Sequence, residues 1–158
     1  VTMVIIRDDI LGKVDRHIPT MLKYRTHIDK GSAFNTPPVS AIFVVNRTLQ
    51  WLDDLGGVQV IEEINRIKAE KLYEEIERNF LFKSPVAKED RSSMNVPFVF
   101  IKNGNEKEFL DFCYDRGLMT LKGHRSVGGF RASIYNAMPE AGVNALVAAM
   151  QEYESQHS

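Results

Sequence analysis

His124, Arg125 and Arg131 crowd into the glycine-rich stretch LKGHRSVGGFRAS at residues 121–133, together with Gly123, Gly128 and Gly129. Arginine presents a planar fork of N–H donors that matches a carboxylate or a phosphate, and histidine adds a donor when protonated. Glycines let the chain turn tightly and let a ligand approach the main chain. Anion binding is the chemistry such a stretch could do. The same composition also describes a basic, solvated hairpin loop, because surface arginine is common. A nucleotide P-loop is excluded, since Gly123 and Gly128 have the required spacing but Gly129-Phe130 stands where Lys-Ser/Thr is needed.

A second candidate is FNTPP at residues 34–38. Here Thr36 can cap a helix, Pro37 suits its first position, and apolar residues recur at Val39, Ile42, Phe43, Leu49 and Leu52 until Gly56-Gly57 ends the run. Helix starts attract anions, but Pro37 and Pro38 lack the N–H groups that usually do the binding. A phosphate bound here would lean on the Asn35 amide and the Thr36 hydroxyl; plain capping is the other reading. His17 and His27 have no second ligand at metal spacing and read as surface histidines.

The elements around the first candidate can be placed from their periodicity. In a strand at 130–135, Phe130, Ala132 and Ile134 share one face and Arg131, Ser133 and Tyr135 the other, so Arg131 points away from the core, into a cleft. Another strand is expected at 118–121. A helix at 106–116 buries Phe109, Leu110, Phe112 and Cys113 and stops at Gly117. VPFVFI at 96–101 reads as a strand that Pro97 pushes toward a sheet edge or restricts at that end. Pro139 opens a last helix with Val143, Leu146, Val147 and Met150 inward.

Upstream, a helix at 58–78 turns Ile61, Ile64, Leu72 and Ile76 to one side and spaces Glu62 to Arg66 and Glu74 to Arg78 for surface pairs. Residues 14–30 read as loop with a short helical turn. The opening VTMVII, residues 1–6, is a near-continuous apolar run of the kind found in strands buried on both faces of a parallel sheet. Little before Phe80 could flank such a strand, so the chain is expected to be a fragment whose first half is absent.

Composition bounds the rest. With 44% hydrophobic and 26% charged residues the 158-residue chain is expected to be globular, and a net charge of -1 gives no bulk attraction to nucleic acid or to an anionic membrane. The single cysteine, Cys113, lies in the apolar run FLDFC and can supply neither a disulfide nor a zinc cluster. A buried, reduced thiol in a cytoplasmic protein is expected. No apolar run approaches the ~18 residues of a membrane span.

The wording of the anion stretch is also distinctive. KGHRSVGGFRASIYNAMP at 122–139 closely resembles the C-terminal signature of the phosphoserine aminotransferases, pyridoxal-phosphate enzymes of serine biosynthesis. AFNTPPV at 33–39 and AKEDRSSMNVPF at 87–98 resemble two further blocks of that family, in its order. The resemblance runs over essentially the whole chain. It implies an α/β fold, the C-terminal part of a fold-type-I transferase: residues 1–38 end the large cofactor-binding domain with its last parallel strand, 39–79 are connecting helices, and 80–158 form a small α+β domain. It implies transamination between 3-phosphohydroxypyruvate and L-glutamate by a cytoplasmic homodimer.

The same resemblance assigns roles residue by residue. Arg131 would hold the substrate α-carboxylate, His124 and Arg125 the distal phosphate or side-chain carboxylate, and Asn35 and Thr36 the phosphate of the partner subunit's pyridoxal 5'-phosphate. No lysine here sits in the family's Schiff-base motif, so no catalytic residue is expected within the chain, and the segment alone is expected to be inactive. Whether the phosphorylated hydroxythreonine of vitamin B6 synthesis is also a substrate stays open. The rival from another class is a noncatalytic anion-binding or regulatory module using Arg125 and Arg131.

Overall fold

The structure is a computed structural model that describes residues 1–102, 104–126 and 128–157. Its contacts divide the chain into two units, Val1–Asp54 and Leu55–Ser158, a division that falls inside the 39–79 stretch.

The first unit is open. Residues 1–7 form no strand, and Ile5 is 93% exposed. An apolar run becomes a strand only where a neighbour's backbone satisfies its N–H and C=O groups; the neighbours were expected outside this chain, and none stands beside it among the described residues. Short 3-10 turns at Asp8–Ile10 and Thr20–Leu22 and the small helix α1 (Tyr24–Ile28) follow. Helix α2 spans Val39–Asp54, and the apolar residues Val39, Ile42, Phe43 and Leu49 on it are exposed. It starts later than the capping pattern implies. Pro38 disfavours helical geometry at Pro37, so the first helical bond runs from Ile42 N–H to the Pro38 carbonyl (3.0 Å), and Thr36 stands outside the helix.

The second unit holds the core. Helix α3 (Gly57–Arg78) leads to strand β1 (Phe82–Lys83), strand β2 (Asn95–Phe100), helix α4 (Glu106–Tyr114), strand β3 (Phe130–Ser133) and helix α5 (Glu140–Gln156). The strands form one antiparallel sheet in the order β1-β2-β3, with α3 packed on it and α5 packed on α3 and α4. Phe82, Phe98, Phe109 and Phe130 are all at most 1% exposed and meet ring to ring, with Phe109 centred 4.9 Å from Phe82, Phe130 and Tyr153. A cluster of this size supplies much of the apolar burial that stabilises so small a sheet.

Two expectations are corrected here, and a third is decided between its alternatives: β2 is the central strand rather than an edge, and Pro97 restricts one end of it. Arg131 is the residue opposite Pro97, and its N–H turns away from β2 to the Leu121 carbonyl (2.7 Å), so the proline nitrogen faces the other side. β1 reaches only Val99 and Phe100, leaving that side of Pro97 without a ladder to break. Residues 118–121 form no strand, since Thr120 takes a positive φ of 62° and only Lys122 bridges to Phe130. On α3 Arg66 pairs with Glu63 and Glu70, and Arg78 with Glu75 and, across to α5, Glu154, rather than with Glu62 and Glu74 as read from spacing.

The alternation expected at 130–135 is present: Phe130, Ala132 and Ile134 are buried while Arg131 and Tyr135 are exposed. Helix α4 closes at Gly117, φ 76°, where Leu118 N–H returns to the Cys113 carbonyl (3.0 Å).

Candidate functional site

The glycine-rich stretch is a tight hairpin. Arg131 N–H to Leu121 O (2.7 Å), Gly123 N–H to Gly129 O (2.8 Å) and Gly128 N–H to His124 O (2.8 Å) close it rung by rung. Two glycines are required by the approach of their neighbours. A Cβ on Gly123 would meet Gly128 O at 2.1 Å; one on Gly129, where φ is +62°, would meet Val99 Cγ1 at 2.5 Å and Phe98 O at 2.8 Å. From the first turn of α4, Glu106 Oε1 accepts the Gly129 N–H at 3.1 Å and ties the hairpin to the helix.

His124 and Arg125 are exposed at the tip, and Arg131 is exposed at the base. His124 Nδ1 accepts the Ser126 N–H (3.3 Å) and lies 2.7 Å from Ser126 Oγ. With Nδ1 engaged by Ser126, Nε2 is the ring nitrogen left to face a ligand. Arg131 rims a mainly apolar cavity of about 370 Å³ whose wall includes Leu118, Leu121, Ile134, Met138 and Val143. One hairpin therefore carries two groups of donors, at its tip and at its base. A small molecule with an anionic group at each end matches that layout.

Asn35 and Thr36 belong to the first unit. Both are exposed, and the Asn35 amide approaches Met21 Sδ at 3.9 Å, a weak contact that leaves its donors for a ligand. Nearby, His27 Nε2 lies 3.0 Å from the Met21 carbonyl and the ring meets Phe34 edge-on, while His17 is exposed. Cys113 is fully enclosed, and burial pushes its thiol up to about 11, so it is no nucleophile at neutral pH.

Two residues of this region are not visible in the sequence. Asn95, opposite Ser133 in the sheet, accepts from the Ser133 and Tyr135 hydroxyls through Oδ1, at 3.3 Å each. Ser133, and then the Arg131 charge, hold the Tyr135 phenol below its usual value. Alternation placed Ser133 and Tyr135 on the Arg131 face, but only the register brings Asn95 there. The other is Glu106, whose contact spans 23 residues. Among the described residues, no helix is long and apolar enough to cross a membrane.

Comparison with known proteins fits this geometry. The relatives include phosphoserine aminotransferases of Bacteroides fragilis, 53% identical over 99% of this chain, and of Bacillus cereus, 50% identical over 97%. These matches cover 45% and 42% of the relatives, so the chain spans under half the length of the curated proteins it resembles. Among solved structures, the phosphoserine aminotransferase of Bacillus circulans subsp. alkalophilus superposes with a TM-score of 0.89 at 38% identity, over 97% of this chain and 43% of that one. The pyridoxal-phosphate-bound enzyme of Trichomonas vaginalis gives 0.79 at 41% identity, over 87% and 40%. The α/β fold is therefore that of the corresponding stretch of these enzymes. The family model "Aminotransferase class-V" matches residues 1–146, nearly the whole of the hairpin-bearing chain, which thus belongs to the class-V aminotransferases.

Proposed function

We propose that this chain is the substrate-recognising part of a phosphoserine transaminase, which moves the amino group of L-glutamate to 3-phosphohydroxypyruvate and yields O-phospho-L-serine and 2-oxoglutarate. The observation that carries this is the hairpin with donors at tip and base, because both amino donors have an α-carboxylate at one end and a second anion at the other. Arg131 takes the α-carboxylate as a bidentate fork. His124 and Arg125 take the distal group, where phosphate and carboxylate must be served by the same donors.

Pyridoxal 5'-phosphate, when bound, supplies the electron sink that transamination needs. The exposed amide of Asn35 and hydroxyl of Thr36 fit its phosphate, whereas Pro37 and Pro38 offer no N–H. In this reading the pair reaches the cofactor of the other subunit of a homodimer in the cytoplasm. Residues 1–38 end the cofactor-binding domain, 39–79 connect, and 80–158 form the small domain.

The test is a pair of substitutions in the parent enzyme. Arg131→Lys replaces a fork by a point charge at the group common to every substrate, so kcat/KM should fall for glutamate and phosphoserine alike. Arg125→Lys meets phosphate in one substrate and carboxylate in the other and should penalise them unequally. One lost charge-assisted bond corresponds to roughly ten- to over a hundredfold. The assignment fails if Arg131→Lys shifts the ratio between substrates about tenfold while Arg125→Lys leaves it untouched. A wild-type enzyme that does not transaminate phosphoserine sinks the function itself.

A further inference from the structure

The buried face of α3 carries two polar residues that grip a single loop. Lys68 is fully enclosed, and its ammonium donates to the carbonyls of Ile134 (3.3 Å), Tyr135 (2.9 Å) and Met138 (3.0 Å). These bonds use all three of its N–H donors. Asn65, one turn earlier and 2% exposed, donates to Asn136 Oδ1 at 2.8 Å. The loop so held, 134–138, leaves β3 three residues beyond Arg131. Through Ile134 and Met138 it also lines the cavity that Arg131 rims.

Burial disfavours the charged ammonium, and this is offset here by three carbonyls that a methionine of similar length would leave without a donor. What the ammonium adds is a fixed position for three carbonyls in a segment without regular structure. A bidentate fork tolerates little misplacement of the strand that carries it.

We propose that Lys68, seconded by Asn65, is a positioning residue for carboxylate recognition: it fixes the 134–138 loop and so the exit of the strand from which Arg131 reaches its ligand. This rests on the phosphoserine-transaminase reading above.

The test is a double-mutant cycle in the cofactor-loaded parent enzyme, with Lys68→Met, Arg131→Lys and the double variant measured for kcat, KM and Tm. Lys68→Met should raise KM for glutamate and for phosphoserine roughly tenfold or more, with kcat changed far less. The double variant should be little worse than Arg131→Lys alone, because both changes disable the same fork. A lysine that only supports the fold would lower Tm and leave the two effects multiplicative; multiplicative effects, or an unchanged KM, overturn the proposal.

If Lys68→Met yields no folded enzyme, Asn136→Ala goes through the same cycle, since it breaks the Asn65 bond from the exposed side and leaves Lys68 in place. A KM rise of about two- to tenfold that is not multiplicative with Arg131→Lys supports the proposal, and a multiplicative or absent one overturns it. A wild-type enzyme without transaminase activity is a separate failure, which removes the functional reading and this proposal with it.

Discussion

Gly123→Ala tests whether hairpin geometry, rather than charge alone, makes the anion site. The added Cβ would lie 2.1 Å from Gly128 O, about 0.9 Å short of the 3.0 Å that real Cβ atoms keep, and 2.8 Å from Gly129 O. Both obstacles are backbone, so no side chain can swing aside. Moving them apart strains the rung from Gly123 N–H to Gly129 O, now 2.8 Å, and pulls on the Gly129 N–H held by Glu106. A lost backbone hydrogen bond costs about 1 kcal/mol and the overpacking a further 1–3 kcal/mol, so roughly 2–4 kcal/mol is expected. Thermal unfolding of the chain should show Tm lower by roughly 5–15 °C. In the parent enzyme KM for phosphoserine should rise more than kcat falls, because the tip residues are displaced while the reacting centre is not. A variant with unchanged Tm and unchanged phosphoserine KM would refute the view that the crossing of 123 over 128–129 is what places His124 and Arg125.

Two further outcomes follow from buried titratable groups. Burial pushes the Glu75 carboxyl up, but hydrogen bonds from Arg78, Asn79 and Gln151 outweigh it and hold the group below the usual 4.5, so its stabilisation is present above the unfolded value and lost as pH falls through the folded one. Urea unfolding midpoints should therefore drop on acidification below about pH 5, and Glu75→Gln should lose roughly 1.5–3 kcal/mol at pH 7 and flatten that acid limb; an unchanged limb refutes the assignment. Cys113, with its thiol pushed up to about 11, should resist iodoacetamide at pH 8 in the folded chain and react promptly in urea, followed by mass spectrometry; equal rates in both would place it outside the core.

The chemistry of the candidate site was legible because it is local. His124, Arg125 and Arg131 lie within one hairpin, and period-two alternation alone turns Arg131 outward from Phe130, Ala132 and Ile134. What escaped was everything whose partner lies far along the chain. Residues 1–6 read as a strand, but a strand is a relation between segments and its apolar content does not name the neighbour. Pro97 argued for an edge or a restricted end; the strand is central and restricted at that end, because the proline nitrogen faces the short side of the sheet, a matter of register that no local pattern contains.

The same limit applies with more force to α3. Its apolar positions Ile61, Leu72 and Ile76 are buried as periodicity requires, but the helix also buries Asn65, Lys68 and Glu75, which any division into polar and apolar residues sends to the surface. Their partners are what no hydropathy pattern names: carbonyls of the 134–138 loop for Lys68 and Asn136 for the Asn65 amide N–H, and Arg78 and Asn79 one turn on, with Gln151 of α5, for Glu75. Exposed, clustered cations such as His124, Arg125 and Arg131 are revealed by composition. A buried polar group such as Lys68, whose three N–H donors all meet carbonyls of one distant loop, is located only by the fold.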